Sequence, residues 1–435
     1  MEAGTITAFL AIGAVIFIGF FGNAIFNKYR IPDVLILVFL GMLIGPDILG
    51  ERFGLITYET LGNIDEFRDI LLSAALVIIL FDGGLTLDIR SVIESMRLSA
   101  FMSILTFVLE MLAVAAALHF IMGMDLLLAV TLGSIVGGTS GAIVIPIANK
   151  LRIKPRTKAI MIMESAVTDV LVVVGALTLI LVVQLGEFNL VRVTEDLIIK
   201  FLIGGAVGFL AGIAWLFALQ KLHNQPLSYM ITIAALFLVA GLVETIGSSG
   251  AVAALAFGLS LGNRQFVRRW LTSVSLRMGT DGHIQQFHFE ITFFVRTFFF
   301  VYLGLLFRFD TFTEIHLITG ILLISVIALV RWFTSMATWK IGGLEMEDAL
   351  ALWGLMPRGL AAAVLATLPA VALAGVAVWE ADSGLPSLFL NVTLIVILGT
   401  TVLATILSAV TERVIDRRHR QVSRLKMDQD DVESI

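Results

Sequence analysis

The chain contains no cysteine. Disulfides, thiolate metal sites and cysteine nucleophiles are therefore excluded, and the redox compartment stays undetermined. Charge is also scarce: 14% of the 435 residues are charged against 58% hydrophobic, and the mean hydropathy is +0.99. That balance belongs to a multi-span membrane protein, for which length does not count soluble domains. Histidine is rare too, with six in all; His283 and His288 stand five apart, a poor spacing for a metal. A hydrolase lacks its parts, because no serine is followed by an intramembrane histidine at a workable depth. The net charge of −5 decides little, since in a membrane protein the placement of charge outweighs its sum.

What the chain has is apolar runs. They fall at about 6–28, 32–47, 69–87, 98–120, 126–148, 158–184, 197–220, 227–246, 249–262, 289–307, 316–340, 348–378 and 386–412, where ~20 residues suffice for one crossing. About thirteen membrane helices are expected in one transmembrane domain over 1–412, with a short charged tail over 413–435. No basic segment followed by a small-residue cleavage site opens the chain, so its first run reads as a retained span. Alternate loops carry 21 of the 29 lysines and arginines, and the opposite loops carry five. By the positive-inside rule the N-terminus is expected outside and the C-terminus in the cytoplasm, as an odd number of spans also requires.

Three arginines remain, all inside spans: Arg296 in VRTFFFVYLG, Arg331 in ALVRWFT and Arg358 in LMPRG. Two carboxylates join them in ESAVTD, Glu164 and Asp169. At ~1.5 Å per residue, Asp169 lies ~16 Å beyond Lys158, Arg358 ~15 Å beyond Asp348 and Arg331 ~14 Å before Lys340, depths that coincide near the membrane centre. A charge there costs at least ~2.5–3.5 kcal/mol, so these groups are expected to face the protein interior. Glu164 and Asp169, five apart, point ~140° apart around a helix and cannot share one partner. Glu164 sits at a depth that Arg331 can reach, and the two are expected to form a structural ion pair. Asp169 is then the free carboxylate, where a proton and a metal cation compete for the same oxygens.

The surroundings fit an ion site. GSIVGGTSGAIVIP interrupts the fifth span with Gly137, Gly138, Gly141 and Pro146, and LMPRG interrupts the twelfth with Pro357 and Gly359. Broken spans in matching positions of two halves point to a transporter site, where freed carbonyls and hydroxyls ligate a cation. Thr139 and Ser140 would supply oxygens there. Arg358 reads as charge compensation at the helix breaks. Arg296, ~10–12 Å in, is open to a packing or a functional role. Asp82 is open to gating or to capping the third span. Glu110 and Glu244 have no evident partner.

These stretches carry a resemblance. FDGGLTLD at 81–88 is similar to the third-helix signature of NhaP-like sodium/proton antiporters, the branch of the cation:proton antiporter superfamily related to the animal NHE exchangers. ESAVTD resembles their ESxxND motif, VRTFFFVYLG their R-x-FIFVFLG segment and MPRG their GPRG. The order of the four motifs and the spacing of the three arginines match as well. The resemblance implies an all-α polytopic fold of the NhaA-like antiporter kind, with inverted repeats and two crossed interrupted helices. It implies a homodimer that exchanges one monovalent cation for one proton across the cell membrane, with no cofactor and no nucleic acid. It further implies that Asp169 binds the ion, with Thr139, Ser140, Ser165 and Thr168 around it, and that Glu164 pairs with Arg331.

Two departures bear on the choice of ion. The family's TDP reads Thr139-Ser140-Gly141 here, and its Asn-Asp pair reads Thr168-Asp169. A single exchangeable carboxylate argues for electroneutral exchange, with Na⁺ or Li⁺ ahead of K⁺. GTSGAIVIP is also similar to the Kef-type potassium branch, which makes K⁺/H⁺ antiport the alternative, with a cation channel behind it.

Overall fold

The structure, a computed structural model, describes residues 12–22, 24, 33–53, 56, 68–86, 89–186, 190–222, 228–264, 266–267, 282–307, 309, 312–354 and 356–433. Among these residues every regular element is helical. In chain order the longer ones are α1 (Ile12–Gly22), α2 (Asp33–Ile44), α3 (Arg68–Thr86), α4 (Ile89–Met122), α5 (Leu126–Val136), α6 (Gly141–Lys150), α7 (Pro155–Leu185) and α8 (Leu190–Leu222). There follow α9 (Ser228–Thr245), α10 (Gly250–Gly262), α11 (Gly282–Leu305), α12 (Glu314–Gly342), α13 (Met346–Gly354), α14 (Leu360–Ala372) and α15 (Leu385–Glu433). Among the described residues, six apolar segments are long enough by themselves to cross a membrane: Val34–Phe53, Arg97–Met122, Arg156–Leu185, Leu202–Leu219, Glu314–Gly342 and Leu385–Ile415. The expected first span lies partly outside the described residues, as do the basic loops at 28–30 and 268–281.

Local chemistry fixes the helix ends. Asp125 caps α5 by accepting from the amides of Leu127 and Leu128, at 2.9 and 3.2 Å. Pro155 opens α7 at a position where its missing N–H costs nothing, and Gly186 closes it in the left-handed conformation, φ +66°. Glu244 finds its partner here, because its carboxylate accepts from the amide of Gly250 at 2.8 Å, at the start of α10.

The helices sort into two bundles that interleave along the chain. α1–α3 and α8–α11 pack together, and α4–α7 pack with α12–α15. In the first bundle, small residues bring backbones close: a Cβ on Gly41 would lie 2.8 Å from the Cα of Gly304, and Gly208 rests on Ala253. Contacts between the bundles are sparse and run mainly through α7 against α8, and α14 against α3 and α11. The second bundle holds both interrupted helices, α5/α6 and α13/α14. Helix α15 runs on past its apolar stretch as one helix to Glu433, since 413–433 contains neither glycine nor proline to stop it.

Candidate functional site

The two interrupted helices meet at their breaks. Residues 137–140 and 356–359 are non-helical, and the amide of Ser140 donates to the carbonyl of Pro357 at 2.8 Å. Gly359 lies against the Ser140 side chain with no room for a Cβ, and Gly138 is closed in by Val172 and by the Thr168 carbonyl of α7. Glycine is needed here for close approach of one chain to another. The crossing therefore presents the N-terminus of α6 to α7 at the depth of Asp169.

Asp169 takes that position. The amide of Gly141, the first residue of α6, donates to its Oδ2 at 3.3 Å. Among the described residues it has no other hydrogen bond and no cation partner, and it is half-buried rather than sealed. It is a carboxylate at a helix N-terminus, where the helix dipole favours negative charge, with lone pairs left over.

Glu164, on the same helix, is fully buried and saturated. Arg331 of α12 donates to both its oxygens, at 2.7 and 2.8 Å, and Thr139 Oγ1 donates to Oε1 at 3.2 Å. The Arg331 Nε donates to the carbonyl of Leu352 in α13, at 3.0 Å. One guanidinium thus ties α12, α7 and α13 together with planar, two-pronged geometry that lysine cannot reproduce.

The hydroxyls divide between these two carboxylates. Thr139 and Thr168 lie 3.2 Å apart, and the Thr139 amide donates to Thr168 Oγ1 at 3.2 Å. Both belong to the Glu164 side. Ser165 Oγ donates to the Ile162 carbonyl at 2.9 Å, within its own helix. The Ser140 hydroxyl makes no hydrogen bond among the described residues, and of the four it is the one left to turn toward a ligand.

Arg358 is fully buried in the second break. Its Nη2 donates to Glu110 at 2.6 Å, its Nη1 to the Met356 carbonyl at 3.1 Å, and its amide to Thr400 of α15 at 3.1 Å. Glu110, to which no partner was assigned from sequence, is therefore the counter-ion of Arg358. Elimination did not single out this pair, since the sequence left Glu110 and Glu244 without a partner and Arg296 and Arg358 unpaired. Asp82 and Arg296 stand apart from this group, on α3 and α11 of the first bundle, close enough to interact electrostatically. The side chains of His283 and His288 lie outside the described residues, and among the described ones no three His, Asp or Glu gather as a metal cluster.

Two interrupted helices crossing in a helical bundle, with a half-buried carboxylate at the crossing, define a polytopic membrane transporter rather than an enzyme. Residues 13–411 match the family described as sodium/hydrogen exchanger, transmembrane, and the chain belongs to it. It is 31% identical over 273 residues to the K(+)/H(+) antiporter NhaP of Alkalimonas amylolytica, a match covering 60% of this chain and 45% of the relative. It is 23% identical over 287 residues to the Na(+)/H(+) antiporter NhaH of Halobacillus aidingensis, covering 65% and 69%. A third relative, the Na(+)/H(+) antiporter ApNhaP of Aphanothece halophytica, is 24% identical over 63% of this chain and 50% of its own. The matched segments thus span about half the length of two of these three relatives. The fold is that of the sodium proton antiporter MjNhaP1 from Methanocaldococcus jannaschii, with a TM-score of 0.78, 20% identity, and coverage of 94% of this chain and 98% of that one.

Proposed function

We propose that this protein exchanges a monovalent cation for a proton by alternating access, with both ligands competing for the Asp169 carboxylate. The observation that carries the reading is the contrast between the two carboxylates of ESAVTD: Glu164 has three donors on its oxygens, and Asp169 has one. Either a proton or a cation neutralises Asp169, and a neutralised site crosses low dielectric far more cheaply than a charged one. Ser140 Oγ is the second oxygen offered to the cation. Thr139 and Thr168, bonded to each other, hold the break against α7. The Glu164–Arg331 pair is structural, and Arg358 balances charge at the crossing.

The sparse contacts between the bundles support an elevator-like motion, in which α4–α7 and α12–α15 carry the site past the other bundle. The interleaving of the bundles along the chain supports inverted repeats. We further infer about thirteen membrane spans in the cell membrane, with the N-terminus outside and the C-terminus in the cytoplasm, a homodimeric assembly, no cofactor, and a role in pH homeostasis. Asp82 and Arg296, on the bundle that would stay still, are placed to influence entry to the site.

One exchangeable carboxylate supports electroneutral 1:1 exchange of Na⁺ or Li⁺. K⁺/H⁺ exchange is the second reading, favoured by the neutral Thr139-Ser140 break and by the name of the relative at 31% identity. Proton flux in proteoliposomes with an internal pH dye, under Na⁺, Li⁺ or K⁺ and with or without a clamped potential, separates the readings. Proton movement driven by Na⁺ and indifferent to the clamp supports the first, and movement driven by K⁺ alone supports the second. A cation current without proton movement would indicate a channel and sink both.

A further inference from the structure

The two buried arginine pairs are built unequally. Arg331 grips Glu164 with two nitrogens, whereas Arg358 reaches only one oxygen of Glu110. Glu110 Oε1 is sealed from solvent and has no hydrogen-bond partner, as is the Arg358 Nε. A buried carboxylate oxygen without a donor is an expensive omission, and it needs an explanation.

The explanation lies along α4. Ser99, Ser103, Thr106 and Glu110 recur at spacings of four, three and four, which places them on one helix face, and all are fully buried. Helix α12 presents a matching row, Arg331, Thr334, Ser335 and Thr338, equally buried. The helices run antiparallel in a register fixed at both ends. A Cβ on Gly342 would meet Leu98, and Thr319 Oγ1 lies 3.9 Å from the Met122 sulfur. That register sets Ser103 level with Thr338, Thr106 with Thr334 and Ser335, and Glu110 with Arg331. Ser103, Thr334 and Thr338 satisfy carbonyls of their own helices. Ser99 Oγ, Thr106 Oγ1 and Ser335 Oγ have no partner, as with Glu110 Oε1. Four orphaned oxygens thus follow one polar seam, which rises ~20 Å from Arg97 to Glu110 at ~1.5 Å per residue. Polar groups so disposed suit a file of water molecules.

We propose that Glu110 is a second proton-binding site, separate from Asp169 and reached along this α4–α12 seam from the Arg97 and Lys340 end. The proton arrives from the water on that side, and an O–H bond forms at Oε1, converting the carboxylate to the neutral acid. The charged groups facing Glu110 are Arg358 from the second break, Arg331 from α12 and Glu164 from α7. α5 contributes none. A proton at Glu110 removes the counter-charge of Arg358, whose neighbours Pro357 and Gly359 touch Ser140. Positive potential at the crossing then rises and opposes a cation at Asp169. Only this last consequence rests on the reading of Asp169 as the exchange site.

Infrared difference spectroscopy between acidic and alkaline pH tests the site without any transport measurement. In Asp169→Asn protein a carbonyl band of a buried carboxylic acid should persist, shift in Glu110→Asp, and vanish in Glu110→Gln. Thr106→Val with Ser335→Ala should retain the band but slow its appearance after a pH jump. Absence of the band in Asp169→Asn, or its survival unshifted in Glu110→Asp, overturns the proposal. If Glu110→Gln fails to fold, the Glu110→Gln, Arg358→Gln double variant, which buries no lone charge, takes its place and should also lack the band. If proteoliposomes show no exchange while the band behaves as stated, the transport reading fails and the proton site stands.

Discussion

The amide of Ser140 and the carbonyl of Pro357 are 2.8 Å apart, which joins the two interrupted helices backbone to backbone at the point where each has lost its own hydrogen bonds. Each break therefore helps to satisfy the other, and neither is stable in that form alone.

The closeness of this junction is testable by volume. Gly359→Ala should clash with the Ser140 side chain and cost about 1–3 kcal/mol, with loss of exchange. Ser140→Gly in the same chain should restore part of the thermal stability, read by unfolding in detergent. If the second change gives no recovery, the two positions are not in the contact described.

Asp169→Asn should abolish cation-driven proton flux and leave the protein folded, because the amide keeps the shape of the group and an oxygen to accept from Gly141. A flux assay beside a thermal unfolding curve separates the effects. Retained exchange would remove Asp169 from the centre of the mechanism.

Glu164→Gln should act the other way round. It leaves Arg331 buried without its counter-ion, a loss of about 3–5 kcal/mol, and Arg331→Lys should be poorly tolerated because one ammonium cannot make both contacts and reach Leu352. Reduced yield and a lower unfolding midpoint are the expected readouts, with residual exchange in whatever protein survives. A normal midpoint would deny the pair its structural role.

Ser140→Asp adds a carboxylate beside the crossing. The expected outcome is a changed order of preference among Na⁺, Li⁺ and K⁺, or exchange that becomes sensitive to a clamped potential. Unchanged selectivity and stoichiometry would show that this position does not set them.

Much of this arrangement was legible in the sequence. Apolar runs gave the helices, since hydrocarbon demands length and satisfied backbone groups and little else. Glycine and proline marked both breaks, and depth along the helix put Glu164 level with Arg331 although 167 residues separate them. The Glu110–Arg358 pair, 248 residues apart, was missed because it depends on the α4–α12 register and on the course of a non-helical segment, neither of which has a sequence period. The allegiance of Thr139 and Thr168 to Glu164 was equally hidden. It rests on the direction of each hydroxyl, which no position in the sequence reveals. The continuation of α15 through 413–433 was not legible either, because the end of an apolar run marks where hydrocarbon could end and not where a helix must.

That last helix makes the molecule a lever. Past Thr411, whose hydroxyl still binds its own turn, 22 further residues carry the rod ~33 Å to Glu433. A straight rod turns rotation into distance, so a tilt of ~10° in the packed part of α15 would sweep its far end through ~6 Å at that length. Movements too small to see at the crossing would be readable from a spin label or fluorophore near residue 430, well away from any group that binds an ion.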